Sequence, residues 1–490
     1  MEKKSVRYKL ERHRWPDEIA AEQRRRRLNV ITVFAIIAAF VLGMYGGQLF
    51  QQPILQSNNQ LTQLERVYQI MKNDWYYGKD IADLDSKLIA DAINGMMQGD
   101  VDPHTYYMNQ DEATQFVGSM AGSLTGIGAA FYEINGDTII EKTYPGSPAR
   151  KAGILPGDIF FEVDGTSVKG MKSTQLQGLV LGEKGTIVKI TVDRQGEKIP
   201  FEITRDVVLT SVMGEVVDGS IGVLEINSVA ENTATEVENY FKDFKAQGVN
   251  RLVIDLRNNT GGYLSTLEQI GDLMFQEGSI IIQQEFRNGS IAKSKSKGKN
   301  PYTFDKIVVL INENTASAAE ALAAALRENI QATLVGITTY GKGSVQQPKT
   351  FEDRSVLKYT IAQWLTPLGN KINHVGIAPD VEVKLHGAYL YRDITLTKSY
   401  QFDDVNYEII PAQMILQFMN YNPGRTDGYF NDQTKQAIQA FQTATGVTAD
   451  GILDQETMNR LLAANLKYWY DHRFELDEQK IKAMELIRSE

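Results

Sequence analysis

Cysteine is absent from the 490-residue sequence, and histidine is scarce. The lack of cysteine excludes a disulfide framework, a metal site with thiolate ligands and a thiol nucleophile. No histidine lies in a setting with an obvious aspartate partner, so a Ser-His-Asp triad is not supported, although sequence order alone does not exclude one. The five histidines are His13, His104, His374, His386 and His472. The absence of an HExxH motif argues against a zinc protease.

Basic residues are in deficit over the chain as a whole. Lys and Arg number 51 against 61 Asp and Glu, which gives a formal net charge of −10. Residues 1–27 nevertheless carry ten basic against five acidic side chains, so the remainder is strongly acidic. An acidic body argues against nucleic acid as a partner.

Charge is missing altogether from residues 28–50, a run of 23 residues that follows Arg24–Arg27. About 20 such residues span a bilayer as a helix, and flanking basic residues stay on the cytoplasmic side. The pattern predicts a single-pass cell-membrane protein, with residues 1–27 as a cytoplasmic head and the rest outside. A large external part without cysteines is compatible with a bacterial envelope, which is the predicted location. A cleaved signal peptide and a buried core helix are the alternatives. The head is long for a signal peptide, and no clear cleavage site follows.

The remaining chain divides into segments with different patterns of apolar and turn-forming residues. Helical spacing gives way to short strands with glycine turns, and then to apolar strands that alternate with helices, as in a parallel α/β core. Two similar turn-plus-helix halves, DGYFNDQT and DGILDQET, follow near the C-terminus. The predicted segments are a helical region over 58–110, strands and turns over 118–205, the α/β core over 206–395, a helical unit over 402–465 and a charged tail over 466–490.

Ser317 lies where an apolar strand gives way to a helix, in INENTASAAEALAAAL. Unpaired N–H groups at a helix start suit the stabilisation of an oxyanion, and the flanking alanines leave room for a substrate backbone. The alternative is that Ser317 is only an N-cap, a position where serine is common.

A serine nucleophile needs a base, and Lys342 in TTYGKGSVQQ is the best candidate. It qualifies only if burial lowers its pKa toward neutrality. On a strand, Lys342, Ser344 and Gln346 share one face, so Gln346 could orient the amine. The alternative is a solvated Gly-Lys-Gly turn.

A third element is DLRNNTGGYL over 255–264, at the end of an apolar strand. Gly261 and Gly262 offer exposed N–H groups beside the expected switch point of the sheet. The alternative is an ordinary strand-to-helix turn.

These segments, with DPHT at 102–105 and GIAPD at 376–380, resemble the carboxyl-terminal processing proteases over about residues 60–395. The resemblance implies that Ser317 is the nucleophile, Lys342 the general base and Gln346 its orienting partner. It further implies an oxyanion hole from Ala318 and one of Gly261 and Gly262, with neither metal nor cofactor.

Residues 118–205 are similar to a PDZ domain, on the strength of LTGIGAAF and SPARKAGILPGDIFFEVDG. One departure is Leu181, where several relatives carry an arginine that couples the domain to the active site. We therefore hypothesise that tail binding mainly tethers the substrate, or that a regulatory envelope protein completes the switch. The resemblance implies a turn that binds peptide carboxylates, formed by Leu124, Thr125, Gly126, Ile127 and Gly128.

Residues 402–465 resemble a peptidoglycan-binding domain; a helical protein-docking module is the alternative. The predicted fold class is thus multidomain α/β (α+β), with a transmembrane helix, a PDZ domain before an α/β protease core and a small helical domain. The predicted function is a membrane-anchored extracytoplasmic serine endopeptidase that recognises protein C-termini and binds peptidoglycan. A non-enzymatic PDZ and cell-wall adaptor is the competing hypothesis.

Overall fold

The computed structural model describes residues 24, 59–97, 102–119, 123–144, 146–209, 211–298 and 301–489. The predicted transmembrane helix over residues 28–50 lies outside them. None of the helices in the described ranges is long and apolar enough to cross a membrane. Helix Gln455–Asp471, at 17 residues, is shorter than the roughly 20 apolar residues required, and it carries charged side chains. The predicted fold class and membrane localisation are corrected accordingly: the described fold is mixed α/β without a membrane-spanning helix.

The helices and strands of the described ranges are numbered here in chain order. The helices are α1 (Asn59–Asn73), α2 (Leu84–Met97), α3 (Gln110–Ser119), α4 (Pro148–Ala152), α5 (Ser173–Val180), α6 (Thr233–Ala246), α7 (Leu264–Met274), α8 (Ala318–Ile330), α9 (Ile409–Phe418), α10 (Asp432–Thr445), α11 (Gln455–Asp471), α12 (Arg473–Leu476) and α13 (Glu478–Arg488). Short 3-10 helices occupy Tyr76–Asp80 and Gly387–Leu390. The strands are β1 (Tyr106–Met108), β2 (Ser123–Gly126), β3 (Ala129–Ile134), β4 (Asp137–Thr143), β5 (Ile159–Val163), β6 (Thr166–Ser167), β7 (Ile187–Arg194), β8 (Glu197–Thr204), β9 (Asp206–Leu209), β10 (Val212–Val217), β11 (Ile221–Ile226), β12 (Arg251–Asp255), β13 (Ile280–Phe286), β14 (Ile291–Lys295), β15 (Lys306–Ile311), β16 (Thr333–Gly336), β17 (Ser344–Thr350), β18 (Val356–Leu365) and β19 (Val381–Glu382).

The chain forms two compact units, residues 1–96 and 97–490. The described part of the first unit consists of α1, a short 3-10 helix and nearly all of α2. An exposed ion pair joins these helices, with Lys72 Nζ 2.5 Å from Asp85 Oδ2. All the features described below belong to the second unit.

A six-stranded sheet in the order β10-β11-β12-β15-β16-β19 is the centre of the second unit. Strand β10 is antiparallel to β11, and all the other neighbours are parallel. The strands read as nearly continuous apolar runs, such as KIVVLI in β15, because both faces of the sheet are covered. This sheet is the α/β core predicted over residues 206–395.

The two faces of this sheet are covered by helices from distant parts of the sequence. Alternate residues of a strand point to opposite faces, so Val309 faces α6, α7 and α8 while Val308 and Leu310 face away from them. The second face is covered by α13, which buries Ala483 and Ile487. The charged C-terminal segment therefore supplies the second helical layer of the sheet.

A second sheet, wholly antiparallel, holds β1, β18, β13 and β14 in that order, with β17 paired to β18. Strand β17 begins at Ser344, just after Lys342. Strand β1 follows directly on the DPHT segment and pairs with β18 from Tyr106 to Met108. This sheet therefore brings the DPHT segment toward the lysine segment.

The segment predicted to be a PDZ domain folds into a sheet in the order β3-β4-β5-β7-β8, with α4 and α5 packed on its core. Strands β2 and β9 form a separate two-stranded ladder that joins this domain to the core sheet. Strand β3 is at the edge of its sheet and has no neighbouring strand on its outer side among the described residues. An exposed edge of this kind can accept an added peptide strand.

The helical unit over 402–465 repeats one hydrogen-bond arrangement in its two halves. Gln413 accepts from Gly428 N–H and donates to Thr434 Oγ1, while Gln442 accepts from Gly451 N–H and donates to Thr457 Oγ1. The helix caps are Asn431 and Asp454, each of which accepts from the N–H of the threonine three residues later. Thr434 and Thr457, the last residues of the repeated sequences DGYFNDQT and DGILDQET, are therefore partners of the caps.

The PDZ segment and the helical unit share one hydrophobic core. Ile139 and Ile159 of the PDZ sheet are buried together with Leu462 of α11. Beside this core, Arg460 of α11 forms an ion pair with Asp193 of β7, whose side chain is only 4% exposed. The helical unit is therefore docked against the sheet of the PDZ segment.

Candidate active site

Ser317 lies at the N-cap of α8, immediately after the loop that follows β15. Its backbone has φ 58° and ψ −122°. An ordinary N-cap has negative φ, and a positive φ is uncommon for a residue with a side chain. Strain of this kind is typical of functional sites. The backbone conformation therefore distinguishes Ser317 from a serine that serves only as a cap.

A single buried carboxylate, Glu320, joins the serine and lysine segments. Its Oε2 accepts from the backbone N–H groups of Ser317 at 2.8 Å and Lys342 at 2.9 Å. Its Oε1 accepts from Thr339 Oγ1 at 2.5 Å and Gly341 N–H at 2.8 Å. Four donors thus satisfy a carboxylate that has no exposed surface. Since one oxygen receives both backbones, the serine and lysine segments are held side by side.

The backbone around Lys342 is fixed on both sides. Trp364 Nε1 donates to the carbonyl of Lys342 at 2.8 Å. Gly341 has φ 85° and packs so closely on Gly376 that an added Cβ would lie 2.9 Å from its nitrogen. Gly343 donates its N–H to Asn373 Oδ1. The two glycines flanking the lysine are therefore needed for close packing against the segment that leads into GIAPD.

The pKa of the Lys342 amine is lowered. Burial is the main cause, and the nearby positive charge of Lys358 adds to it, while Glu320 and Asp102 act in the opposite direction. His104 lies near the same amine: burial lowers its pKa first, and the charge of Lys342 lowers it further. Asp102 of the DPHT segment therefore acts on the electrostatics of the lysine, and the lysine in turn acts on His104.

Gln346 lies on β17, and its amide group is engaged by hydroxyl groups. Nε2 donates to Ser344 Oγ at 2.8 Å and to Thr360 Oγ1 at 3.1 Å. The contact with Ser344 agrees with the predicted shared face of these two residues. Within the described residues, Gln346 and Lys342 form no hydrogen bond with each other.

The glycine loop, defined here as residues 256–262, is tied to the strand end that carries Ser317. Asn259 is fully buried; its Nδ2 donates to Ile226 O, and its carbonyl accepts from Ala316 N–H at 2.9 Å. Its Oδ1 accepts from Gly261 N–H at 2.8 Å, so that donor is already used. An added Cβ on Gly261 would lie 2.8 Å from Ser317 Cβ and 2.9 Å from Ala318 N. The loop backbone therefore lies directly against the serine.

Two N–H groups at this junction remain available. Neither Gly262 nor Ala318 donates its N–H to any described residue. Gly262 has φ 149°, and an added Cβ would lie 2.1 Å from Val229 O, so only glycine fits there. Of the two predicted glycines, the arrangement thus favours Gly262 as a donor to a substrate oxygen.

Histidine does not take part in this arrangement. None of the four histidines in the described ranges forms a hydrogen bond with Ser317. His386 Nδ1 accepts from Ala388 N–H, and its ring stacks on Phe418 at 4.6 Å. His472 contacts the carbonyl of Tyr468.

The predicted carboxylate turn of the PDZ segment lies beside β3 and α5. Leu124, Thr125 and Gly126 belong to β2 and pair with β9. Ile127 is buried, and Gly128 has φ 73°. Neither of these two residues donates its N–H to a described residue. The free donors of the turn are therefore those of Ile127 and Gly128.

Leu181, the departure noted in the sequence, is the C-cap residue of α5. The end of this helix is held by Arg205, which donates to the carbonyls of Leu179 at 2.7 Å and Val180 at 3.2 Å. Arg205 directly precedes β9, which pairs with the strand of the carboxylate turn. A positive charge is therefore present near the turn, although Leu181 does not provide it.

Sequence reasoning missed Glu320 and Asn259. Glu320 occupies the third position after Ser317, where a capping-box glutamate is expected, so its position was a usable signal. Asn259 carried no comparable signal, because two of its partners, Ile226 and Ala316, come from distant parts of the chain.

Comparison with known proteins identifies the domains of the chain and its relatives. Residues 220–383 match the model of peptidase family S41, residues 139–194 that of a PDZ domain and residues 406–461 that of a peptidoglycan binding domain. The chain is 34% identical to the carboxy-terminal processing protease CtpA of Bacillus subtilis, over 94% of this chain and 98% of that protein. It is 32% identical to CtpB of the same organism, over 82% and 84%. The photosystem II D1 C-terminal processing protease is similar at 25% identity and a TM-score of 0.42, over 66% of this chain and 92% of that one.

Proposed function

The chain belongs to the carboxy-terminal processing proteases of peptidase family S41, and on that premise we propose that Ser317 and Lys342 form its catalytic dyad. The protein is a serine-type peptidase with a PDZ domain and a peptidoglycan-binding type of domain. The observation that carries the proposal is the shared oxygen of Glu320, which holds the backbones of Ser317 and Lys342 together.

In the proposed reaction, the neutral amine of Lys342 takes the proton from Ser317 Oγ as that oxygen attacks the carbonyl carbon of the scissile bond. The carbonyl oxygen becomes an oxyanion and accepts from the N–H groups of Gly262 and Ala318. Collapse of the tetrahedral intermediate breaks the C–N bond, and the lysine ammonium gives its proton to the leaving amine. Water then hydrolyses the acyl-enzyme by the same sequence, which regenerates Ser317.

Lysine is an effective base only where its charged form is disfavoured. Burial and the charge of Lys358 both disfavour it at Lys342. Gln346, whose amide donates to Ser344 and Thr360, is a polar residue of the lysine segment that adds no charge.

We propose that substrate tails bind by adding a strand to the free edge of β3, beside α5. The terminal carboxylate would then accept from the N–H groups of Ile127 and Gly128. The support for this mode is the unpaired strand edge together with two unused donors at its beginning.

The experiment that tests the dyad uses purified protein and a quenched fluorescent peptide with a free, apolar C-terminus. Wild type should cleave the peptide, and a fluorophosphonate should label Ser317. Ser317→Ala and Lys342→Ala should each abolish cleavage with an unchanged circular dichroism spectrum, and Gln346→Ala should reduce it less. Full activity of Lys342→Ala would overturn the dyad. Cleavage should persist with a chelator present, since no step uses a metal.

The repeated helical unit supports a second, binding function toward peptidoglycan. It matches the peptidoglycan binding domain model over residues 406–461, which includes both repeated halves. Sedimentation of the full-length Ser317→Ala protein with purified sacculi tests this function. Retention of the protein in the supernatant at every sacculus concentration would contradict it.

A further inference from the structure

The glycine loop contains a buried arginine held between two carboxylates, one nearby in sequence and one 220 residues away. Arg257 donates from Nε and Nη2 to Asp255, at the end of β12, with a shortest distance of 2.7 Å. Nη1 and Nη2 donate to Asp477 Oδ1 and Oδ2, both at 2.8 Å. Nη1 also donates to Gln479 Oε1 at 3.1 Å. All the charged groups of this cluster are at least 86% buried.

Asp477 is the N-cap of α13, where its Oδ1 also accepts from Lys480 N–H at 2.9 Å. The contact between Asp477 and Arg257 spans 220 residues of sequence. It joins the last helix of the chain to the loop that places the glycines beside Ser317. The bidentate geometry fixes the orientation of the guanidinium as well as its position.

The turn that follows Arg257 depends on its orientation. Arg257 also donates its backbone N–H to Asp255 Oδ1 at 3.0 Å, so both its side chain and its backbone are bound. The next residue, Asn258, has φ 61°, which is uncommon for a non-glycine residue. Asn259 then holds Gly261 N–H. The strained turn thus lies between a fixed arginine and a fixed asparagine.

We propose that Asp477 is a positioning residue for catalysis, which acts through Arg257 to hold the glycine loop in the conformation that presents Gly262 N–H. The C-terminal helix is then part of the machinery that stabilises the oxyanion. This inference rests on the proposed role of Gly262. It goes beyond that role because it assigns a catalytic contribution to a segment outside the residues that match the peptidase family model.

The helix has a separate anchor at its other end, which allows the positioning effect to be separated from simple docking. Arg251, at the start of β12, donates to the carbonyls of Ile487 at 3.0 Å and Arg488 at 3.2 Å. One arginine at each end of β12 therefore holds one end of α13. Arg257 precedes the glycine loop, whereas Arg251 is at the opposite end of the strand.

The test compares Asp477→Asn with Arg251→Gln in the full-length protein. Asparagine is as good an N-cap as aspartate, so Asp477→Asn removes the negative charge that pairs with Arg257 while it retains the cap. We expect kcat for the quenched peptide to fall by roughly tenfold or more, with KM changed less than about twofold, because only transition-state stabilisation is lost. Hydrogen exchange at residues 256–262 should become faster. Asp477→Glu, which restores the charge, should recover part of kcat.

Arg251→Gln should leave kcat and the exchange of residues 256–262 near wild-type values, even where it lowers Tm as much as Asp477→Asn does. The inference would be overturned if Asp477→Asn and Arg251→Gln lost kcat equally at an equal loss of Tm. Unchanged hydrogen exchange of residues 256–262 in Asp477→Asn would also overturn it. If Asp477→Asn does not fold, Asp477→Ser, which also keeps an N-cap and removes the carboxylate, takes its place: wild-type kcat with slow loop exchange in that variant would overturn the inference. Faster loop exchange in Asp477→Asn together with full activity of Lys342→Ala would support the coupling and refute the dyad.

Discussion

The positive charge of Lys358 lowers the pKa of Lys342, an effect second only to burial. Lys358 itself is half-buried on β18, where its Nζ donates to Tyr106 OH at 3.2 Å and lies 4.8 Å from the centre of the Tyr106 ring. An aromatic partner holds this ammonium in place without neutralising it. The fold therefore keeps a second cation beside the proposed base.

The first prediction concerns the pH dependence of the wild-type enzyme. Only neutral Lys342 accepts a proton, so kcat/KM should rise with pH through the lowered pKa of this lysine and then level off. The measurement is a pH profile with the quenched peptide. The rise should persist in His104→Gln, because His104 is not the base. A profile that becomes flat in His104→Gln would contradict the lysine assignment.

The second prediction concerns Lys358→Met. Loss of the neighbouring cation should raise the pKa of Lys342, so the rise of the pH profile should move to higher pH. Asp102→Asn should move it to lower pH, since Asp102 raises this pKa. Lys349→Met, on the neighbouring strand β17, is the matched control and should leave the profile in place. Shifts of Lys358→Met and Asp102→Asn in the same direction would refute the electrostatic account.

A third prediction concerns Glu320→Gln. The glutamine amide keeps one acceptor oxygen, but an NH₂ group replaces the other oxygen and faces two N–H donors. These buried donors are then left without an acceptor. We expect a loss of unfolding free energy of about 1–3 kcal/mol for each unsatisfied donor, and a large fall in kcat. Glu328→Gln is the control, because Glu328 lies on the same helix and accepts from Leu368 N–H at an exposed site. Chemical denaturation and steady-state kinetics measure both effects. Wild-type kcat in Glu320→Gln would contradict the bridging role.

A fourth prediction concerns the substrate terminus. Amidation of the C-terminal carboxylate should raise KM, because the N–H groups of Ile127 and Gly128 would lose a charged acceptor. Gly128→Ala should abolish the difference between the two peptides, since an added Cβ would lie 2.5 Å from Ser147 Cβ at a φ of 73°. Gly165→Ala is a control at positive φ in the same domain with no atom near the added Cβ. Equal KM values for free and amidated peptides in wild type would show that the turn does not bind the substrate carboxylate.

A fifth prediction concerns the contact between the PDZ domain and the helical unit. Burial opposes ionisation of Asp193, but hydrogen bonds from Arg460 and Lys198 outweigh it and lower its pKa to about 2. The folded pKa is depressed, so this stabilisation is complete above the unfolded pKa of about 3.9 and is lost as pH falls toward 2. Arg460→Gln should reduce Tm at pH 7 and flatten its dependence on pH between about 5 and 2. An unchanged acid dependence in Arg460→Gln would show that the pair does not stabilise the interface.

Local signals in the sequence were enough to predict the candidate catalytic residues. Ser317 stands out at a strand-to-helix junction among alanines, and Lys342 stands out between two glycines. The glycines beside them were also recognisable, since close backbone approach excludes a side chain. The choice between Gly261 and Gly262 was not accessible, because it depends on the side-chain conformation of Asn259.

Long-range contacts account for what the sequence did not predict. The C-terminal segment was described as a charged tail, since α13 is short and its buried positions are separated by charges. Its packing becomes evident only in the folded structure, where the second face of the central sheet would otherwise be exposed to water. The pairing of Arg257 with Asp477 likewise joins residues 220 positions apart, which no periodicity in the sequence can reveal.

The order of segments along the chain has a practical consequence for protein engineering. The glycan-binding type of unit is inserted between the core sheet and α13, which covers one face of that sheet with Ala483, Met484 and Ile487. A stop codon placed before residue 402 would therefore delete this helix as well and expose Val253, Val308 and Leu310 to water. Loss of solubility in such a truncated form would say nothing about the inserted unit itself. A deletion that keeps this face covered must excise the unit and rejoin the chain to α13 through a linker, and it still exposes Ile139 and Ile159 of the PDZ sheet.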